Sequence, residues 1–265
     1  MTPFSYHAPQ SLKDAVAILS NSSAGRLLSG GQTLLPRLRE GEDHASDVIR
    51  IARLLPRGTK QQGDRLEIGA GSTHAEIAAS TEVHAKIPAL ALLSAAVGDV
   101  QVRNRGMLGG ALAANDPAGE YPAAALALDA IIVTDRREVA AGDFFSGAHK
   151  TSLEPSEIVV RVRFGIPLRA SYRKVLDPAA RWPMVGVMIS EFSDGWRVAV
   201  TGAHREGAFR HVRIEEALNL WDFRGQPPTA VTDTNGIRDT PLGDPQYRRQ
   251  LIDVLVKRNL LAILA

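Results

Sequence analysis

Two pairs of adjacent glycines, Gly30-Gly31 and Gly109-Gly110, constrain this chain more than any other feature of its sequence. A glycine pair lets one backbone approach another, or a ligand, because no Cβ stands in the way and positive φ costs little. The first pair lies in Leu28-Ser29-Gly30-Gly31-Gln32-Thr33-Leu34-Leu35-Pro36, directly after the strand-like Arg26-Leu27-Leu28. Successive N–H groups in such a turn form an anion-binding concavity, and Gln32 and Thr33 add neutral hydrogen-bonding groups, so a diphosphate suits it. Taken alone, a plain tight turn between strand and helix is the simpler reading. The second pair lies in Arg105-Gly106-Met107-Leu108-Gly109-Gly110-Ala111, followed by Leu112 to Asn115 and an Asp116-Pro117 turn. It can present amides to the other side of the same pyrophosphate, or serve close helix packing; both readings stand.

Other signals narrow the chemistry by exclusion. Gly69-Ala70-Gly71-Ser72-Thr73-His74 lacks the third glycine of a Rossmann turn and is not set in a strand–helix–strand unit of the usual length. There is no Walker-type loop ending in Lys-Ser or Lys-Thr and no Gly-x-Ser-x-Gly elbow. The histidines show no metal spacing: His74 and His84 lack an acidic partner at helical spacing, and strand breakers separate His204 from His211. The chain has no cysteine, which removes thiol nucleophiles, thiolate zinc sites and cysteine-held iron–sulfur clusters. Redox chemistry here would require an organic cofactor, with any iron–sulfur centre on another chain. The 31 basic and 29 acidic residues leave a net charge of only +2, and the densest basic stretch, Tyr247-Arg248-Arg249, reads as the solvent face of a helix, so nucleic-acid binding is disfavoured. Met1 to His7 lacks the pattern of a secretory signal, and the apolar run from Pro122 to Val133 is broken by Asp129 and too short to span a bilayer. A cytoplasmic location without a membrane span is expected.

The periodicity predicts helices over Ser11–Leu19, with Ser11 as N-cap, over Thr73–Ser80, with Thr73 and Glu76 as a capping box, and over Ala89–Val97, Pro122–Leu128, Arg213–Leu220 and Pro245–Leu264. Strands are expected at Arg26–Leu28, Asp47–Ala52, Arg65–Gly71, Ala130–Val133, Ser156–Phe164 and Trp196–Gly202. A boundary falls at Pro167 to Arg169, beyond which strands are followed by helices in a separate α+β lobe. Gly225 to Pro245 reads as a long exposed loop.

In this order and spacing, the motifs resemble the FAD-binding medium subunit of the molybdenum hydroxylases, the xanthine dehydrogenase and carbon monoxide dehydrogenase family, whose flavin fold is shared with p-cresol methylhydroxylase (PCMH). The likeness is carried by Phe4 to Leu12, Ser29 to Pro36, Ile68 to Ile77, Val102 to Gly106, Asp143 to Gly147, Thr151 to Ile158 and Tyr247 to Leu251. It implies an α+β chain: a two-lobed PCMH-type FAD-binding domain over residues 1–168, with the lobes dividing near 56, then a smaller α+β domain over 169–265. It implies that Gly30, Gly31, Gln32, Thr33 and Leu34 line the pyrophosphate, that Gly109 and Gly110 approach it from the second loop with Leu108, and that Leu28 and Ser29 form the adenosine side or loop base. Thr73, Asn115, Asp116 and Glu120 complete the implied set, and Lys174 stands near the flavin edge. No catalytic residue and no metal site are implied on this chain. The resemblance further implies partners: a large subunit holding the molybdenum cofactor and a small subunit carrying [2Fe–2S] clusters, in a dimer of heterotrimers, with FAD passing electrons to an external acceptor. The chain departs from the family pattern at Met107 and Ala111 in the second loop, at Glu120 where aspartate is usual, and at Arg181-Trp182-Pro183.

Two other functions compete. One is a stand-alone flavin oxidoreductase of the same fold, for which His74 and Tyr121 are the nearest candidate bases. The other is a degenerate, non-catalytic assembly module, which Met107, Ala111 and Trp182 motivate.

Overall fold

Ser11 fixes the start of the first helix as its pattern requires: its side chain accepts the Asp14 N–H at 3.1 Å. The computed structural model describes residues 3–177, 182–222, 224, 228 and 232–264; the Arg181 departure lies outside them. The chain opens β1 (Ser5–His7), α1 (Leu12–Asn21), β2 (Gly25–Leu28), α2 (Leu34–Glu40), β3 (Asp47–Arg50). These strands form a parallel sheet in the order β1-β3-β2, packed on α1 through Ala15 and Ile49 and on α2 through Leu38 and Val48.

The middle of the chain runs β4 (Thr59–Gln62), β5 (Arg65–Gly69), α3 (His74–Ala79), α4 (Thr81–Lys86), α5 (Pro88–Ala96), α6 (Val100–Arg105), α7 (Leu108–Ala114) and α8 (Glu120–Ala127). It continues through β6 (Ile131–Thr134), β7 (Glu138–Ala140), α9 (Ala141–Phe144), β8 (Phe145–Gly147), β9 (Lys150–Thr151) and β10 (Val159–Gly165). Its main sheet is antiparallel, in the order β4-β5-β10-β6-β7, so no parallel βαβ unit surrounds the Gly69-Ala70-Gly71 turn. The capping box forms: Thr73 Oγ1 accepts the Glu76 N–H, and Glu76 Oε2 accepts the Thr73 N–H.

The last part holds β11 (Arg169–Leu176), β12 (Pro183–Phe192), β13 (Gly195–Thr201), β14 (Phe209–Arg210), α10 (Val212–Asn219) and α11 (Pro245–Leu264). Its antiparallel sheet, in the order β11-β12-β13-β14, is covered on both faces. Val185, Val187, Ile189 and Val198 pack under α10 and α11, whereas Tyr172, Met188 and Ala199 join the middle core with α8 and β10. The sequence pattern marks no strand at 183–192, where burial of both faces removes the polar alternation of a half-buried strand.

Three other expectations change. Gly109 and Gly110 lie in the first turn of α7 and not in an open loop, because Gly109 must pack on Ala70: a Cβ there would come within 2.7 Å of the Ala70 Cβ. Arg248 does not face solvent; it is buried and donates to the carbonyls of Met184 and Gly202. The stretch from 225 to 245 carries no helix or strand among its described residues until Pro245 opens α11, but Thr232 and Ile237 are buried in it. Among the described residues, no helix is long and apolar enough to cross a membrane.

Candidate functional site

The strand β2 ends at Leu28, and the chain turns through Ser29, Gly30 and Gly31 into α2. Gly31 takes a φ of +76°, open to glycine at little cost. Gly30 abuts the start of the second glycine turn so closely that a Cβ on it would lie 2.1 Å from the Arg105 carbonyl oxygen. Gly110 faces Ser29 in the same way, with a Cβ placed there 2.7 Å from the Ser29 Oγ. The first glycine turn is therefore in backbone contact with the Arg105-Gly106 segment that leads into the second pair, and Gly110 meets the Ser29 side chain.

Around this contact lies a cleft of about 310 Å³, at the small end of the range for ligand sites. Ser29, Gly30, Gly31, Gln32, Thr33 and Leu34 form one wall, and Gly106, Met107, Gly109, Gly110 and Ala111 the facing one. Among the described residues, nothing in the protein accepts a hydrogen bond from the N–H groups of Gly30, Gly31, Gln32, Thr33 or Leu34. Thr33, the N-cap of α2, makes no side-chain cap bond. A run of unpartnered amides at a turn entering a helix is a fitted receptor for phosphate oxygens.

The charged groups on the walls are arranged so as not to repel an anion. Asp43 accepts from Arg26 through Nε, at 3.2 Å, and through Nη2, at 2.9 Å. That pairing holds its carboxyl below the usual carboxylate range. Glu157 takes bonds from Arg137 Nε at 2.9 Å, Thr134 Oγ1 at 2.7 Å and the Glu154 N–H at 2.7 Å. The Arg137 bond is the main reason its pKa falls to about 2. Arg37, on the same wall, is only loosely engaged, 3.9 Å from Glu42. The residues present thus fit a diphosphate: free amides, no intruding Cβ and acidic groups already neutralised.

The remaining expected site residues are placed elsewhere. Leu28 supports the turn from below, its Cδ1 3.3 Å from where a Gly31 Cβ would sit. Thr73 engages its hydroxyl and N–H in the capping box. Leu108 is fully buried. Asn115 ends α7 in the left-handed region and donates to the Gly147 and Lys150 carbonyls, and Asp116 accepts the Ala118 N–H. Glu120 and Lys174 do not line the cleft; they form a closed ion pair between α8 and β11. Arg26, Arg37, Asp43 and Glu157 also stand on the walls, and the sequence motifs do not point to them. They come from separate elements, so no local spacing joins them.

Residues 2–168 match the family described as the FAD binding domain in molybdopterin dehydrogenase. The chain is 32% identical to the carbon monoxide dehydrogenase medium chain of Hydrogenophaga pseudoflava, over 97% of this chain and 96% of that one. It is also 32% identical to the nicotine 6-hydroxylase medium subunit of Paenarthrobacter nicotinovorans, over 96% and 95%. Among solved structures, it matches a Hydrogenophaga pseudoflava carbon monoxide dehydrogenase with a TM-score of 0.87 at 31% identity, covering 100% of this chain and 99% of that one. Quinoline 2-oxidoreductase from Pseudomonas putida 86 matches with a TM-score of 0.87 at 26% identity, over 99% and 97%. With free amides and a glycine cradle for its cofactor, and this likeness over its length, the chain belongs to the FAD-binding medium subunits of the molybdenum hydroxylases, as an oxidoreductase subunit.

Proposed function

We propose that this chain is the electron-relay subunit of a multi-subunit molybdenum hydroxylase, receiving electrons from iron–sulfur clusters on a small partner and passing them to an external acceptor. A large partner would hold the molybdenum cofactor and oxidise the substrate, in a dimer of heterotrimers. The observation that carries this reading is the row of unpartnered N–H groups from Gly30 to Leu34 facing Gly110 across the cleft. The absence of cysteine supports the division of labour, since clusters of the usual kind find no ligands here.

FAD, when bound, supplies a carrier that accepts electron pairs and releases them onward. The chain's own residues bind and orient it. The Gly30–Leu34 amides take the diphosphate oxygens, Gly110 lets the opposite wall approach Ser29 without a Cβ between them, and Arg37 supplies positive charge. Residues 1–168 would form the FAD-binding domain in two lobes dividing near 56, between β3 and β4, with 169–265 as the second domain. That division is supported by β10 and β11 belonging to different sheets.

The test is an absorbance spectrum of the purified full chain before and after FAD addition and desalting, together with an assay for organic substrate turnover. Retained flavin without turnover is expected; turnover by the chain alone would favour a stand-alone flavin enzyme and sink the relay reading. Absence of flavin from folded protein would favour the non-catalytic module.

A further inference from the structure

His74, the first residue of α3, is buried on the cleft wall beside Gly106. Its backbone N–H donates to the Gly106 carbonyl at 3.1 Å. A Cβ on Gly106 would meet His74 Nε2 at 2.6 Å, so the imidazole lies one residue from the point where Gly30 abuts the Arg105 carbonyl. Its ring packs on Tyr121 with centroids 4.9 Å apart. Neither ring nitrogen makes a hydrogen bond to the protein among the described residues, and Nδ1 is sealed from solvent.

A buried imidazole with both nitrogens unpartnered is costly unless a ligand completes it. Burial, with the Arg103 charge adding to it, pulls the His74 pKa down to about 4, so the ring is neutral at neutral pH and carries a single N–H. Placing that hydrogen on sealed Nδ1 would bury a donor with no acceptor. Placing it on Nε2 puts the donor beside Gly106, itself a residue of the cleft wall. The Tyr121 hydroxyl makes no hydrogen bond to the ring; it donates to Ser94 Oγ at 2.9 Å.

We propose that His74 is a cofactor-binding residue: a neutral imidazole in the Nε2–H form that donates a hydrogen bond to the diphosphate of FAD at the junction of the two glycine turns. This rests on the FAD cleft described above. It makes His74 a third arm of the phosphate receptor, alongside the Gly30–Leu34 amides and Gly110. The ring's tilted packing on Tyr121 holds it in place, so the donor is set before the ligand arrives.

The experiment uses the full chain and reads FAD and ADP affinities by fluorescence or calorimetric titration for the wild type, His74→Phe and His74→Gln, alongside ring 15N spectra of the wild type. Phe keeps the packing on Tyr121 and removes the donor; Gln restores an N–H near the Nε2 position. The expected result is a loss of about tenfold or more in both FAD and ADP affinity for His74→Phe. His74→Gln should recover to within about threefold, by the same hydrogen-bond reasoning. The free wild type should show an Nε2–H tautomer whose signal shifts when FAD is added, a readout that stands even if a variant fails to fold. Unchanged FAD affinity in folded His74→Phe, or an Nδ1–H tautomer, would overturn the proposal and leave the FAD cleft intact. Loss for FAD with none for ADP would overturn the diphosphate contact. Folded wild type that takes up neither ligand would overturn both the cleft and this role for His74.

Discussion

Lys174 Nζ lies 2.5 Å from Glu120 Oε1, an ion pair closed off from solvent that joins β11 of the C-terminal sheet to the start of α8 in the middle core. The pair is built to be satisfied: Lys174 also donates to the Ala96 carbonyl at 2.7 Å, and the Tyr172 hydroxyl donates to the same Glu120 oxygen at 3.1 Å. Burial pushes the Glu120 carboxyl up, and Lys174 opposes that shift. Removing the lysine alone, as in Lys174→Met, strands a buried carboxylate and should cost about 3–5 kcal/mol. Replacing both, Glu120→Gln with Lys174→Met, should cost less than the single change. Urea unfolding of the single and double variants measures it; a double variant no more stable than Lys174→Met would refute the account.

The contact between the glycine turns makes a sharper prediction. A Cβ at Gly30 collides with a backbone carbonyl, which no side-chain rotation relieves, so Gly30→Ala must push the turns apart. FAD affinity should fall at least about tenfold, with about 1–3 kcal/mol of stability lost to overpacking. Gly110→Ala meets only the rotatable Ser29 hydroxyl and should be milder. Gly142→Ala meets nothing within 4 Å and serves as the control, leaving FAD binding as in the wild type. Flavin titration and thermal melts of the three variants separate these outcomes.

His74 also links stability to pH. Its folded pKa of about 4 lies below the ordinary 6.5 because burial disfavours the charged ring. A depressed pKa means the unfolded chain binds the proton more readily, so the contribution is fully present above pH 6.5 and is lost as pH falls from 6.5 towards 4. The loss is on the order of 3 kcal/mol across that window. Urea midpoints of FAD-free protein taken from pH 7.5 to 4.5 should fall more steeply for the wild type than for His74→Phe, which has no such proton to bind. Parallel curves would show that His74 does not titrate as described.

Local rules made part of this fold legible. Ser11 and the Thr73–Glu76 box announce their helices because capping depends on residues three or four apart. The strand β12 escapes because Val185 and Val187 face α11 while Met188 faces the middle core, and such a run has no alternation to read. In the site, the Gly30-Gly31 turn was visible, but the reason for Gly109 was packing on Ala70, and only the fold brings those two residues together. Arg26 and Asp43 reach the cleft wall from a strand end and a distant loop, a pairing no spacing encodes.

Arg248 shows the same limit and yields a last prediction. In sequence it sits beside Tyr247 and Arg249 as one more basic residue on a helix. In the fold it turns inward from α11: Nη1 donates to the Met184 carbonyl at 2.6 Å and the Gly202 carbonyl at 3.2 Å, Nε to the Gly243 carbonyl at 3.2 Å, and Nη2 to Thr240 Oγ1 at 2.8 Å. Burial lowers its pKa from the ordinary arginine value, yet the fork ties α11 to the ends of β12 and β13 and to the loop before it. Lysine is a single point donor and cannot reproduce that fork. Arg248→Lys should therefore leave carbonyls unpaired and cost about 2–3 kcal/mol. Arg249→Lys beside it should stay within about 0.5 kcal/mol, as a substitution outside the buried network does. Because the cleft belongs to the other end of the chain, FAD affinity should be unchanged in both. Equal unfolding midpoints for Arg248→Lys and Arg249→Lys would return Arg248 to the solvent face on which the sequence alone had put it.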